Sequence, residues 1–255
     1  QIAEGDRITW AIFASEPESE LARSGIPQKA SGLLKYGHER VTPQNTLHGG
    51  LSECIILRPF TPLLKLSEEL PVELASLINC SVSTVAGALR LAGDLKGKQV
   101  LISGAGMLGL VACAMSRQSG AAGVTVTDID SQRIDRAQYY GADRGLLWRE
   151  EDRDLVFFGE EEPIPIDVIM EYSGAASAME RSLECLGIGG TAIWVGATYP
   201  ERDLRINAER MVRNIWTLKG LHNYNVEDFR NGAAFMETHH AVYPFRQLVE
   251  QKFAF

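Results

Sequence analysis

The chain has 255 residues, of which 45% are hydrophobic and 23% charged, a composition typical of folded globular proteins. Its 33 acidic residues exceed its 25 basic ones, for a net charge of −8, and no basic run is present. Nucleic acids and anionic membrane surfaces are therefore poor partners, because both are bound through clustered Lys and Arg. The longest apolar run, at residues 108–115, is far shorter than the roughly 20 residues of a membrane span.

The N-terminus has neither an initiator Met nor the pattern of a signal peptide, so we expect that this is not the natural start. The chain has four cysteines, and no two of them have the CxxC spacing of a zinc knuckle or a redox motif. We expect free thiols in a reducing cytoplasm for all but Cys80, which is treated below.

Short β-like runs and turns dominate the first 65 residues. We predict β structure at Arg7–Phe13 and Glu53–Arg58, with a loop excursion at residues 15–40. Residues 70–93 then show the spacing of a helix that carries small side chains.

From Gln99 onward, apolar strands alternate with helices, which is the pattern of βαβ units and a parallel sheet. The strands are continuously apolar, as expected for a sheet that is buried on both faces. The predicted strands are Gln99–Ser103, Val124–Thr127, Leu146–Trp148, Asp167–Tyr172, Thr191–Val195 and Ile215–Leu221. The predicted helices run from near Leu108 to about Gln118, over Ser131–Tyr140 with Ser131 as N-cap, and over Ala175–Leu186 and Val226–Glu237. The acidic residues 149–163 are predicted to form a solvated loop or a short helix.

The clearest motif is Gly104-Ala-Gly106-Met107-Leu108-Gly109, between a predicted strand and the helix that follows it. Gly104 allows a tight turn, Gly106 lets a pyrophosphate approach the backbone, and Gly109 lets the helix pack closely on the strand. The helix N-terminus presents N–H groups and the positive end of its dipole to the phosphates. We therefore predict a dinucleotide-binding site that includes Met107 and Leu108. A tight turn without a ligand and a methyltransferase site are the alternatives.

Asp128 ends the next predicted strand, where a carboxylate can accept hydrogen bonds from both hydroxyls of an adenosine ribose. Its charge repels a 2′-phosphate and Asp130 adds to the repulsion, so the sequence favours NAD over NADP. Arg133 is expected either to pack over the adenosine or to be an ordinary solvated helix charge. Gly174 and Gly196 follow strands at the same edge, and either give room to the nicotinamide half or serve as turn glycines.

Together, several segments resemble the medium-chain dehydrogenase/reductase family, in its zinc-type alcohol dehydrogenase group, over nearly the whole chain. These segments are Gly5–Ile8, Gly50–Cys54, Leu77–Leu89, Gly93–Leu110, Thr127–Asp143 and Gly189–Gly196. Ile26–Glu39 and Leu221–Phe229 are similar to the subgroup associated with phosphonate catabolism.

The resemblance implies an α/β fold with a doubly wound Rossmann sheet and a partial, β-rich GroES-like catalytic domain. It places the GroES-like part at residues 1–85, the Rossmann domain at 86–228, and the start of the return to the catalytic domain at 229–255. It also implies a cytoplasmic homodimer or homotetramer that transfers hydride between NAD and a small alcohol or carbonyl substrate. Two alternatives are a zinc-free quinone or enoyl reductase of the same family and a catalytically inactive NAD-binding or interaction protein.

By the same resemblance, Cys80 matches the third ligand of the catalytic zinc, and a small buried thiol is the alternative. The family's first two zinc ligands lie N-terminal to Gly5–Ile8, and the chain stops near Phe255, before the family's catalytic domain is complete. We therefore expect a chain that is truncated at both ends and inactive alone, with zinc bound only in the intact protein. No catalytic residue is assigned. A structural zinc and an ordered lobe are not expected, because the aligned ligand positions hold Glu16, Ser19, Ala22 and Ala30.

Overall fold

The computed structural model describes residues 2–43, 45–148, 164–249 and 251. The chain divides into two compact units, the first made of Gln1–Thr84 with Asn223–Phe255 and the second of Val85–His222. The predicted acidic loop or helix at residues 149–163 lies outside the described residues.

Strands and short helices alternate along the described chain. The strands are β1 (Ile8–Trp10), β2 (Phe13–Ala14), β3 (Leu34–Lys35), β4 (Leu63–Lys65), β5 (Gln99–Ser103), β6 (Gly123–Asp128), β7 (Arg144–Leu147), β8 (Ile166–Glu171), β9 (Leu186–Trp194) and β10 (Thr217–Gly220). The α-helices are α1 (Glu20–Arg23), α2 (Val72–Leu77), α3 (Ser83–Ala92), α4 (Met107–Gln118), α5 (Ser131–Gln138), α6 (Ala176–Ser182), α7 (Ala208–Arg213) and α8 (Val226–His239). Single 3-10 turns are found at Pro27–Lys29, Leu183–Cys185 and Phe245–Leu248, and a π-helical turn at Ile78–Val82.

The second unit is built on a six-stranded parallel sheet in the order β10-β9-β8-β5-β6-β7. Counted from the first strand of this unit, the order is 3-2-1-4-5-6 from the β7 edge, which is that of a doubly wound Rossmann sheet. Every residue of β6 is buried, as are all of β5 after its first residue. Burial on both faces explains the continuous apolar run Val100–Ile102 in β5, whereas β6 alternates valine with buried threonine. The predicted α/β class and doubly wound parallel sheet are confirmed.

Several predicted boundaries in this unit shift at the ends of elements. Asp130, not Ser131, is the N-cap of α5, because Asp130 has an extended backbone and its side chain accepts the N–H of Gln132 at 2.9 Å. The helix expected at Ala175–Leu186 ends as a 3-10 turn. The sequence did not predict α7, which has no buried residue and so lacks a hydrophobic period.

The first unit contains two short antiparallel strand pairs, β1 with β4 and β2 with β3. The predicted strand at Glu53–Arg58 is wrong, since this segment is irregular and none of its residues is buried. The N–H of Ile56 bonds to the carbonyl of Leu47 at 2.7 Å. Apolar composition alone did not make a strand here, because no neighbouring strand in the described part of the chain supplies a ladder.

The predicted helix at 70–93 is confirmed as a helical stretch, Val72–Ala92. It consists of α2, the π-helical turn and α3 in direct succession. Among the described residues, this is the one stretch long and apolar enough to cross a membrane by length and composition alone. Of its most apolar window, 67% is buried inside the structure, as in the core helix of a globular protein. In the first unit, α8 packs against this stretch at Gly232, where an added Cβ would lie 3.1 Å from Ser83.

The C-terminus of α7 carries local backbone strain. The N–H of Trp216 bonds to the carbonyl of Met211 at 3.1 Å, and the N–H of Ile215 bonds to that of Val212 at 3.3 Å, which is a Schellman motif. Ile215 takes the left-handed position of this motif, with φ of 55°. Glycine is usual there, because a side chain in this conformation costs about 1–2 kcal/mol.

We predict that Ile215→Gly raises the free energy of unfolding by about 0.5–1 kcal/mol, because relief of strain exceeds the backbone entropy cost of glycine. Little burial is lost, since the Ile215 side chain is 71% exposed. Urea unfolding measures the change. Ile188→Gly is the matched control, because Ile188 is equally exposed on β9 and has no positive φ, so this variant should be destabilised. A loss of stability in Ile215→Gly equal to that of the control would contradict the prediction.

Candidate functional site

A crevice of about 350 Å³ opens at the carboxyl ends of β5, β6 and β8, where the strand order reverses. This is the place where doubly wound sheets bind ligands. Of the predicted site residues, Gly104, Gly106, Asp128 and Arg133 line it. The other lining residues are Ser103, Thr127, Ile129, Trp148, Tyr172, Ser173, Ala175, Ser177 and Ala178.

The three glycines of the motif have three different surroundings. Gly104 has φ of 96°, and an added Cβ would lie 2.9 Å from the backbone nitrogen of Ser173. At Gly109 an added Cβ would lie 1.8 Å from the carbonyl oxygen of Gly104, so α4 can reach the turn only because no side chain intervenes. At Gly106 an added Cβ would meet nothing within 4 Å. The position of Gly106 therefore faces open space in the crevice.

Helix α4 begins directly at this open space. Its N-cap is Gly106, which supplies no side-chain capping bond. Met107 is exposed and Leu108 is half-buried, and both belong to the first turn of the helix. The first turn of a helix has N–H groups without intrahelical partners and the positive end of the dipole. Its location suits an anionic group such as a pyrophosphate.

The carboxylate of Asp128 lies at the edge of the crevice and is 9% exposed. Its Oδ2 accepts the N–H of Ala105 at 2.7 Å, and its Oδ1 accepts that of Asp130 at 3.1 Å. The side chain thus ties the glycine-rich turn to the end of β6. Each carboxylate oxygen has more than one lone pair, so both can still accept a further hydrogen bond from a ligand.

Two buried hydroxyls in the crevice wall have no hydrogen-bond partner among the described residues. They are Oγ of Ser103, the last residue of β5, and Oγ1 of Thr127, which precedes Asp128 on β6. Both residues are 1% exposed. A buried hydroxyl without a partner costs about 1–3 kcal/mol. Their location among the lining residues fits a polar ligand or bound water at the carboxyl ends of these strands.

Arg133 lies at the start of α5, and its side chain is 58% exposed. Its Nε lies 3.7 Å from Asp130 Oδ2, an exposed ion pair that contributes little to stability. Arg133 thus lines the crevice with a largely exposed side chain, and its packing over the adenosine stays a prediction.

Gly174 and Gly196 lie against each other. An added Cβ on Gly174 would lie 2.5 Å from the carbonyl oxygen of Gly196, and one on Gly196 would lie 2.3 Å from the nitrogen of Gly174. Gly174 also has φ of 76°. The contact between the turns after β8 and β9 therefore explains the need for glycine at both positions.

Two other residues at this edge of the sheet were not predicted as site residues from the sequence. Glu171 ends β8 as a fully buried carboxylate, and an acid at the end of an apolar strand was the same signal that marked Asp128. Trp148 follows β7 and lines the crevice, with the guanidinium carbon of Arg181 4.3 Å from its ring centroid. No spacing rule links an isolated Trp to a ligand, so only the structure reveals it.

Cys80 lies in the π-helical turn of the first unit, and its side chain is exposed rather than buried, unlike the alternative of a small buried thiol. Partial desolvation raises the pKa of its thiol, and the charge of Lys35 opposes this. Among the described residues, no group of three or more His, Cys, Asp or Glu side chains could hold a metal ion. The described residues alone therefore do not fit a zinc centre.

The sheet order and the glycine-rich turn at its switch point define the second unit as a Rossmann domain. The zinc-binding dehydrogenase family matches residues 108–238, just over half of the chain. The chain belongs to this family, and the resemblance to the zinc-type alcohol dehydrogenase group is confirmed.

Relatives and solved structures agree with this assignment. The chain is 29% identical over 261 residues to L-threonine 3-dehydrogenase of Colwellia psychrerythraea, covering 92% of the chain and 73% of that protein. It is 31% identical over 219 residues to that of Deinococcus deserti, covering 86% of the chain and 60% of that protein. An alcohol dehydrogenase structure from Thermotoga maritima aligns with a TM-score of 0.86 at 26% identity, over 94% of the chain and 68% of that protein. The chain thus spans between three fifths and three quarters of these proteins.

We predict that Gly109→Ala lowers the free energy of unfolding by more than about 2 kcal/mol, because its methyl group overlaps the Gly104 carbonyl oxygen. Gly106→Ala in the same turn is the control and should stay within about 0.5 kcal/mol of wild type, because its methyl group meets no protein atom. Chemical unfolding measures both. Equal stability of the two variants would show that α4 does not approach the turn this closely.

Proposed function

We propose that the chain is the coenzyme-binding part of an NAD-dependent oxidoreductase that transfers hydride between nicotinamide and a small alcohol or carbonyl compound. The observation that carries the proposal is the open position at Gly106, between the N-terminus of α4 and the carboxylate of Asp128. Membership of the zinc-binding dehydrogenase family supports the reaction class. Relatives named L-threonine 3-dehydrogenase support an alcohol as the reduced substrate.

Each crevice residue has a part in holding the coenzyme. The backbone at Gly106, Met107 and Leu108 would bind the pyrophosphate, while Gly104 and Gly109 bring helix and turn together. Asp128 would accept hydrogen bonds from the adenosine ribose, and Arg133 would lie over the adenosine. The ring of Trp148 offers a flat surface to the adenine base.

The nicotinamide half belongs at the β8 and β9 side of the switch point. There the contact between Gly174 and Gly196 keeps two turns close, which leaves no side chain between them. The bound coenzyme supplies hydride chemistry, and the chain's own contribution is to bind and orient it. No proton donor or acceptor for the substrate is assigned.

The choice of NAD over NADP is proposed from charge. Asp128 occupies the ribose end of the crevice, and Asp130 lies two residues further on. A 2′-phosphate placed here would face one carboxylate directly and a second nearby, and like charges repel strongly where water is partly excluded.

Zinc assistance is proposed from family membership, with Cys80 as one ligand. The exposure of Cys80 leaves its sulfur accessible to a metal.

The same proposal extends to the assembly of the protein and to its location in the cell. A homodimer or homotetramer is proposed through the free edge of β10, because an edge strand carries unpaired backbone groups. Four cysteines without a disulfide favour a cytoplasmic location.

The coenzyme proposal is tested by titrating the chain with NADH and NADPH and following tryptophan fluorescence or heat. NADH should bind at least about 10-fold more tightly than NADPH. In Asp128→Asn, the affinity for NADH should fall about 10- to 100-fold, the range of a hydrogen bond to a charged group, and the preference over NADPH should disappear. Asp135→Asn is the matched control, because Asp135 is an exposed acid on α5 outside the crevice lining. Absence of NADH binding, or equal effects of the two variants, would overturn the proposal.

The zinc proposal is tested on the full-length protein by metal analysis. We expect about one zinc per chain, and a clear loss in Cys80→Ser, since a thiolate is a strong zinc ligand. Cys54→Ser is the control, because Cys54 is also exposed and has no proposed metal role. A full-length protein without zinc, or one that keeps its zinc after Cys80→Ser, would exclude this part of the proposal.

A further inference from the structure

Glu171 is a fully buried carboxylate that binds the turn immediately after it. Its Oε1 accepts the N–H of Ser173 at 2.7 Å and that of Gly174 at 3.0 Å, and it also accepts the Ser173 hydroxyl. Its Oε2 lies 3.2 Å from the nitrogen of Gly174. All of these groups are donors, so the side chain acts purely as an acceptor. This pattern suits an ionised carboxylate.

The turn at residues 172–174 forms the side of the crevice that faces the glycine-rich turn. Tyr172 and Ser173 line the crevice, and the N–H of Tyr172 bonds to the carbonyl of Ser103 at 2.8 Å. An added Cβ on Gly104 would lie 2.9 Å from the Ser173 nitrogen, so the two turns are in direct contact at their base. A displacement of the 172–174 turn would change the width of the crevice.

The side chain of Glu171 is buried against donors. Desolvation raises the pKa of Glu171, while the bonds from Ser173 and Gly174 oppose this shift. A neutral amide or a protonated acid would bring a donor hydrogen from the Oε2 position against the N–H of Gly174, whose nitrogen lies 3.2 Å from Oε2. Burial of a charge costs free energy, which would be a large cost for closing a turn that organises no ligand.

We propose that Glu171 is a positioning residue for the coenzyme, whose carboxylate holds the 172–174 turn as the crevice wall opposite the glycine-rich turn. The inference rests on the proposed function. Glu171 acts through the turn, because its oxygens are directed to backbone and hydroxyl donors and it does not line the crevice. The part of the ligand affected is the pyrophosphate and the groups beyond it, since the adenosine end is at Asp128, away from this wall.

The test compares Glu171→Gln with Asp167→Asn by calorimetric titration of NADH and of 5′-AMP. Asp167 is the matched control, because its carboxylate also accepts a backbone N–H, from Gln99 at 2.8 Å, at the opposite end of the same strand. In Glu171→Gln, the dissociation constant for NADH should rise about 10-fold or more, while that for 5′-AMP changes less than about threefold. Asp167→Asn should leave both constants within about twofold of wild type.

A merely structural role for Glu171 predicts a different result. The affinities for NADH and for 5′-AMP would then fall to the same degree, or neither affinity would change. Either outcome overturns the inference. If wild type itself does not bind NADH, the proposed function fails instead.

Ser173→Ala provides a second measurement should Glu171→Gln not fold. It removes the hydroxyl bond to Oε1 and the bond that the same hydroxyl accepts from the N–H of Ala175 at 3.2 Å, and it should weaken NADH binding about two- to fivefold with little change for 5′-AMP. Unchanged NADH binding in this variant would also overturn the inference. Where both variants fold, the loss of NADH affinity in the double variant should be smaller than the product of the two single losses, because both changes act on Glu171 Oε1.

Discussion

The approach of α4 to the turn after β5 is the contact on which the crevice of the second unit depends. Gly109 occupies a position where a methyl group would overlap the carbonyl oxygen of Gly104. With no side chain between them, the first turn of the helix lies at the carboxyl edge of the sheet. The N-terminal N–H groups and the helix dipole can then act on an anion at Gly106. A larger residue at Gly109 would separate the helix from this edge.

Two carboxylates organise the turns on either side of the switch point. Asp128 ends β6 and binds the glycine-rich turn, while Glu171 ends β8 and binds the 172–174 turn. Each carboxylate accepts two backbone N–H groups, from Ala105 and Asp130 at Asp128 and from Ser173 and Gly174 at Glu171. Asp128 remains partly exposed and can also bind a ligand, whereas Glu171 is fully buried and acts on the wall alone. The same chemistry therefore serves both ligand contact and crevice shape.

Prediction from sequence succeeded where a property is local. The boundaries of β5 and the helix after the glycine motif follow from apolar runs and glycine punctuation, and the structure has them as predicted. Prediction failed where a partner decides the outcome. Glu53–Arg58 has the composition of a strand but no neighbouring strand within the described ranges, and α7 lacks a buried face that would give it a hydrophobic period.

Residue types and spacing alone were sufficient to determine the α/β class, the glycine-rich turn and the acid at Asp128, because βαβ units repeat in a fixed order along the chain. The three-dimensional structure alone revealed that Glu171 binds the turn after β8, since the direction of a side chain depends on how the turn folds back on it. It alone also revealed that Trp148 lines the crevice, since this depends on strands that are adjacent in space. It also explained Gly174 and Gly196, whose need for glycine lies in their mutual contact. Sequence periodicity records which way a residue faces, but only the packed chain determines what it meets there.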